Sequence, residues 1–247
     1  MPFTGLMLTA RAAGWSLSFP DMHRRKFLVR AGTAAALGTL ATAPATATQP
    51  GQPDSVTIDY PQSRLERYRP RLVLRDVNIQ LDALYAWRSA SPDYDNVEYL
   101  SYWAWYPAQE GGSSSDSHVP DREPVIVVVD EDTDAIQRVF YDELHYLVGR
   151  DPAPATDGGH PLLDVVDPWH PYQPTAESGT LVKVRDLRDR YQAWLDAGWP
   201  VDRQSVTDPP TVLARGHWWE DTAAGVSIRA FQARLGQRLG FVPFRET

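Results

Sequence analysis

The stretch Asp121-Arg-Glu-Pro-Val125-Ile-Val-Val-Val129-Asp130 decides the fold. Five β-branched residues in a row, 125–129, favour a pleated strand, and their unbroken apolar character leaves no face for solvent. They predict a central strand covered on both sides. Residues 130–134 form an acidic turn, and 136–147, with Val139 and Tyr141, supply the second arm of a hairpin. Upstream, residues 97–106 are rich in Tyr and Trp and end at Pro107, which predicts a strand closed by a turn. A Gly/Ser loop beginning at Glu110 separates the two strands.

Farther out the signals thin. Residues 72–87 alternate at Val77, Ile79 and Leu81, which fits a half-buried strand, with a helix as the rival reading. Residues 162–166 predict a short strand that stops at Asp167-Pro168. Beyond it the period lengthens: Leu181, Val184, Leu187, Tyr191, Trp194 and Leu195 recur every three or four residues, with Gly198 placed as a C-terminal cap. A second helix fits 228–239, with Phe231, Leu235 and Leu239 on one stripe and Gly240 as its stop. No internal repeat is present. The expected class is α+β, an antiparallel β-sandwich core with two helices in the C-terminal half.

Composition excludes several chemistries. The 247 residues contain no cysteine, so disulfides, thiolate zinc and a cysteine nucleophile are absent. The net charge of −8 argues against a nucleic-acid surface, which needs a Lys/Arg excess on one face. Only Lys26 and Lys183 are lysine, so 22 of the 24 basic residues are arginine, a balance that fits a GC-rich, salt-adapted source. No Gly-x-Ser-x-Gly elbow or Gly-rich phosphate loop occurs, which disfavours serine-hydrolase and nucleotide chemistry.

The N-terminal residues read as an address. His23-Arg24-Arg25-Lys26-Phe27-Leu28 precedes an uncharged Ala/Thr/Leu run over 31–43 and an Ala45-Thr46-Ala47 cleavage pattern. This is a twin-arginine export signal, carried by Arg24 and Arg25, with the twin-arginine translocase as its partner. Met22 directly precedes it, so residues 1–21 are read as an upstream extension from another start codon. The apolar run is too short to span a bilayer, which takes about 20 residues. The expected organisation is a signal over 1–47, a linker over 48–70 and a single domain over 71–247, acting outside the cytoplasmic membrane. Removing five basic and one acidic leader residues leaves 19 basic against 31 acidic, a net of −12.

The densest group of chemistry-bearing residues is Glu110, His118, Asp121 and Glu123. In an extended chain Asp121 and Glu123 face the same side, near His118. Such oxygen and nitrogen donors suit Mg²⁺, Ca²⁺ or Mn²⁺; in an acidic protein the spacing alone is more often that of a solvated edge. His160, in a Gly-Gly-His-Pro loop, reads as solvated. The adjacent Trp218 and Trp219 direct one ring to each face, one packing on the sheet and the other either packing too or forming a platform for sugar or headgroup.

Trp103-Ala-Trp-Tyr-Pro107, Glu110 and His118-Val-Pro-Asp121-Arg-Glu123 leading into 125–129 resemble the necrosis-inducing protein family and the related vacuolar protein sorting-associated protein 62 family. Phe140-Tyr-Asp-Glu-Leu-His145 and Pro161-Leu-Leu-Asp-Val-Val-Asp-Pro-Trp-His170-Pro-Tyr172 extend the resemblance over roughly residues 97–172. It implies a β-sandwich with a divalent cation, Mg²⁺ or Ca²⁺, held by Glu110, His118, Asp121, Glu123, His145 and His170. Arg122 replaces the family's tryptophan, Pro120 precedes the motif Asp, and Glu110 replaces an Asp. Strand alternation should turn Arg122 to the opposite face. The function expected on this basis is an exported, non-enzymatic, metal-containing binder of glycan or lipid headgroups. A metal-dependent hydrolase, with Asp121 or Glu123 as general base, and a structural cell-surface domain are the alternatives.

Overall fold

The computed structural model describes residues 48–75, 77, 81–109, 121–143, 147–167, 169–196, 206–216 and 218. These belong to the second of the chain's two compact units, Pro44–Thr247. The signal residues Arg24 and Arg25 and the helix expected over 228–239 lie outside them.

Two sheets form the body. The larger runs in the order β1 (Thr57–Asp59), β3 (Ala83–Ala90), β4 (Val97–Tyr106), β5 (Asp121–Asp130), β6 (Ile136–Glu143) and β7 (Leu147–Asp151), with β12 (Val184–Asp186) also on β3. The smaller is β10 (Tyr172–Pro174), β9 (His160–Val165), β2 (Arg71–Val73) and β11 (Thr180–Leu181), with β8 (Thr156–Asp157) on β9. Pairing is antiparallel except β12 with β3 and β2 with β9. Among the described residues the helices are α1 (Gln62–Tyr68), α2 (Arg188–Asp196) and α3 (Pro209–Arg215). The α+β class with an antiparallel β-sandwich core is the fold observed.

Alternation along β5 explains the layering. Val125, Val127 and Val129 pack with Leu100, Tyr102, Leu72 and Leu163 between the two sheets. Ile126 and Val128 face the other way, into a second core with Trp87, Trp103, Tyr191, Trp194 and Val212, where α2 and α3 cover the large sheet. The five-residue β-branched run is therefore buried on both faces. It forms the expected hairpin with β6, with Val127 opposite Val139.

Three expectations are corrected. The strand placed over 72–87 is two strands in different sheets, β2 and β3. Between them Val77 and Leu81 pack inward and so mimic alternation, while Ile79 lies outside the described residues. The helix placed from Leu181 begins only at Arg188, because Leu181 and Val184 belong to β11 and β12, and Val184 pairs with Leu84. Their spacing matches a helical stripe by coincidence of two short strands with the helix that follows. The linker over 48–70 contains β1 and α1, pinned to the body by buried Leu65 and Tyr68, by the Tyr102 hydroxyl donating to the Leu65 carbonyl at 2.8 Å, and by Arg64 paired with buried Glu98.

Candidate functional site

The candidate site lies where β5 begins. The ladder between β5 and β6 starts at Val125, one residue past Pro124, whose ring nitrogen cannot donate a hydrogen bond. Asp121 and Glu123 therefore project from a strand end on the sandwich-interior side, opposite Tyr106 and Ala104 of β4. Arg122 turns to the other face, as alternation requires, with its guanidinium 4.9 Å from the centre of the Trp194 ring. Burial lowers the Arg122 pKa, opposed by the Asp121 charge.

His170 arrives from the turn after β9. It adopts a left-handed backbone, φ 58°, held by its N–H donating to the Val166 carbonyl at 2.9 Å. Histidine tolerates this region better than most side chains, and such conformations gather at functional positions. The turn lays the imidazole flat on Tyr106, centroids 3.9 Å apart and planes 12° apart. Its Nδ1 is 2.7 Å from Asp121 Oδ2, while Asp121 Oδ1 accepts the Arg122 N–H at 2.9 Å. With the proton on Nδ1 donated to Asp121, Nε2 carries the free lone pair; it is buried and has no hydrogen-bond partner among the described residues.

Glu123 completes the group. Burial, then the neighbouring Asp142 and Asp121 charges, push its pKa well above the usual carboxylate range. Asp121, Glu123, Asp142 and His170 are each at most 1% exposed. Tyr172 of β10 donates its hydroxyl to the Glu123 carbonyl at 3.3 Å. Burial raises the pKa of both Tyr106 and Tyr172, so both stay protonated. Like charges at this separation cannot all be ionised without a counter-charge, so the group holds either protons or a cation.

Of the six expected ligands, the structure brings together Asp121, Glu123 and His170. Glu110, His118 and His145 lie outside the described residues. Among the described residues alone, no three His, Asp or Glu groups are arranged to hold a metal ion. Asp142, Tyr106 and Tyr172 were missed. Asp142 gave a signal, an acid beside Phe140-Tyr141 in a strand, but His145 drew the reading past it. His160 is not simply solvated: its Nδ1 meets the Arg69 carbonyl at 2.9 Å. Trp218 is the packed member of its pair, at 1% exposure, its indole N–H donating to the Leu147 carbonyl. Trp219 lies outside the described residues.

No family model matches the sequence, and no curated protein matches it. Solved structures do. Necrosis and Ethylene inducing Protein 2 from the causal agent of cocoa's Witches Broom disease is 14% identical, with a TM-score of 0.41 over 51% of this chain and 73% of that one. NLPPya in complex with mannosamine is 17% identical, with a TM-score of 0.43 over 59% and 81%. A structure described as a toxin fold for microbial attack and plant defense is 19% identical, with a TM-score of 0.43 over 59% and 82%. The likeness is one of chain path. The vacuolar protein sorting-associated protein 62 part of the resemblance finds no support among these matches.

Proposed function

We propose that the mature chain is an exported, divalent-cation-dependent binder of polar ligands, glycan or lipid headgroup, that acts without turnover. One observation carries the reading: His170, oriented through Nδ1 by Asp121, has a buried Nε2 with no hydrogen-bond partner among the described residues, and that Asp121 belongs to a buried group of three carboxyls. A histidine whose other nitrogen donates to a carboxylate is the usual form of a metal-ligating imidazole. Asp121 then serves mainly to orient His170. Glu123 and His170 Nε2 are the donors from the described part of the site, and Glu110, His118 and His145 the remaining ones. Oxygen-rich donors without thiolate favour Mg²⁺ or Ca²⁺ over zinc. The cation supplies the charge that lets buried Glu123 ionise and a positive centre for ligand oxygens.

Elemental analysis of the secreted protein beside His170→Ala and Glu123→Gln tests the site. About one ion per chain, lost in both variants, is the expected result. Equal metal content in all three removes the reading. Binding to immobilised glycans and to vesicles of defined headgroup is expected in Ca²⁺ or Mg²⁺ and absent in EDTA. Metal-dependent product from a glycan and phosphoester panel would replace the binder with a hydrolase.

A further inference from the structure

A second cleft lies on the outer face of the large sheet, and nothing in the reading above uses it. Its volume is about 570 Å³, inside the range of roughly 300–1,000 Å³ typical of small-ligand sites. Tyr99 of β4, Val128 of β5 and Arg138 of β6 are directly opposed across three strands and share one face, so they form a continuous floor. On β4, Tyr99 and Tyr106 are seven residues apart and on opposite faces. At about 3.3 Å per residue the two sites are separated by roughly 23 Å along the strand, with the sheet between them.

The rim is built, not accidental. The loop joining β3 to β4 turns on Asp95 and Asn96, both left-handed at φ 46° and 63°, with the Val97 N–H donating to the Tyr94 carbonyl at 3.1 Å. Asp95 and Asn96 are the central pair of a tight turn within the loop over 91–96, and short polar side chains tolerate that left-handed backbone. It sets Asp95 at the mouth and plants Tyr94 edge-on against Tyr99, centroids 5.1 Å apart at 82°. The Tyr94 hydroxyl donates to Asp208 at 3.0 Å, which fixes the far wall ahead of α3.

The cleft's lining carries two arginines, Arg138 and Arg150, and three acids, Asp93, Asp95 and Asp208. Arg64, Arg75, Arg88 and Arg188 are each tied to a carboxylate. Arg138 and Arg150 line the cleft and have no ion-pair partner among the described residues. Arg150 is held over the Phe140 ring at 5.0 Å, which positions its guanidinium at the cleft. Two such arginines on the floor select a carboxylate or similar planar anion. A half-buried tyrosine face offers stacking for a ring, and the rim carboxylates Asp95 and Asp208 accept from hydroxyls. A simple inorganic anion would meet repulsion from those rim acids. A ring bearing both hydroxyls and a carboxylate uses all three features.

We propose that this cleft is a cation-independent site for an acidic saccharide of the uronic-acid class, its carboxylate on Arg138 and Arg150 and its ring on Tyr99. The proposal does not depend on the ion-binding site. The test is calorimetric titration of the secreted protein with digalacturonate, and with galactobiose as the neutral counterpart, both in excess EDTA. Digalacturonate should bind at least tenfold more tightly than galactobiose. Arg138→Gln should remove that preference, and Tyr99→Ala should weaken both sugars at least fivefold, with thermal melts showing that each variant still folds. Lack of digalacturonate binding in EDTA overturns the proposal. So does equal affinity for the two sugars, or a preference that survives Arg138→Gln. Failure here leaves the cation reading standing, because the metal content of Glu123→Gln is measured separately.

Discussion

Glu123→Gln tests the electrostatics of the carboxyl group directly. Burial and the neighbouring Asp142 and Asp121 raise the Glu123 pKa well above its ordinary value, so without a cation the folded chain keeps a proton that the unfolded chain gives up. Where the native state binds more protons than the unfolded state, stability falls as pH rises. The contribution is fully present below the unfolded carboxyl pKa and is lost progressively above it. The slope is about 1.4 kcal/mol per pH unit for one proton. Over pH 5–7 the ion-free protein should therefore lose up to about 1.4 kcal/mol of stability per pH unit from this group for as long as Glu123 keeps its proton. For a chain of this size each kcal/mol lost lowers Tm by roughly 2–4 °C.

The assay is thermal unfolding in EDTA over pH 5–7, wild type beside Glu123→Gln. Glutamine keeps the shape and some hydrogen bonds but carries no titratable proton, so the variant should show the shallower decline. Background titration of other groups cancels in the difference between the two proteins. Adding Ca²⁺ or Mg²⁺ should restore the wild type most strongly near pH 7, because the ion takes over the work of the proton. The variant should respond little. Identical pH slopes in the two proteins would refute the reasoning, whatever their absolute stabilities.

Val127→Ala removes a fully buried side chain from the core between the sheets, and chemical denaturation should show a loss of about 2–3 kcal/mol from lost transfer energy plus cavity. Gly179→Ala places a Cβ 2.3 Å from the Leu72 carbonyl carbon, so it should disrupt the pairing of β11 with β2 and lower Tm by more than a surface change would. Arg122→Ala should cost about 1 kcal/mol through the lost Trp194 contact and leave the ion content unaltered, because its side chain is on the face away from Asp121 and Glu123. Replacing Arg24 and Arg25 together by Lys should abolish export, read by fractionation; undiminished export would disprove the signal.

Where one strand decides its own environment, the sequence was legible. The run 125–129 specifies burial on both faces without reference to any neighbour, and β4 matches the aromatic segment 97–106 end to end. Legibility failed where pattern and pairing part company. Val184 and Leu187 are three apart, as on a helix, yet Val184 fills the core between the sheets and Leu187 the core beneath α2. Nothing local tells a three-residue strand, whose partner is a hundred residues away, from the first turn of a helix. The same holds for Asp142. An acid in a strand looks solvated until Glu123, nineteen positions earlier, is seen to share its environment.

Strand alternation in the doubly covered sheet separates the two proposed sites. On β5 the odd-numbered residues Asp121 and Glu123 enter the carboxyl group, while the even-numbered Arg122 and, farther along, Val128 face the layer that holds the helices and the outer cleft. Strand alternation keeps the Arg122 guanidinium away from the very carboxylates that would otherwise neutralise it, one residue on either side. A tryptophan at position 122 would pack on Trp194 without needing that separation. Arginine there requires it, because a permanent cation on the inner face would compensate Asp121 and Glu123 directly and leave no demand for a metal. For the proposed cation site, the placement of Arg122 over Trp194 is thus a condition of binding at this strand end. A variant that lets a cationic side chain reach the inner face, Tyr172→Lys, should fold only if the ammonium replaces the ion. Its metal content should fall to zero, and its stability should no longer respond to Ca²⁺ or Mg²⁺; retained ion content in a folded Tyr172→Lys protein would show that charge compensation is not what the site requires.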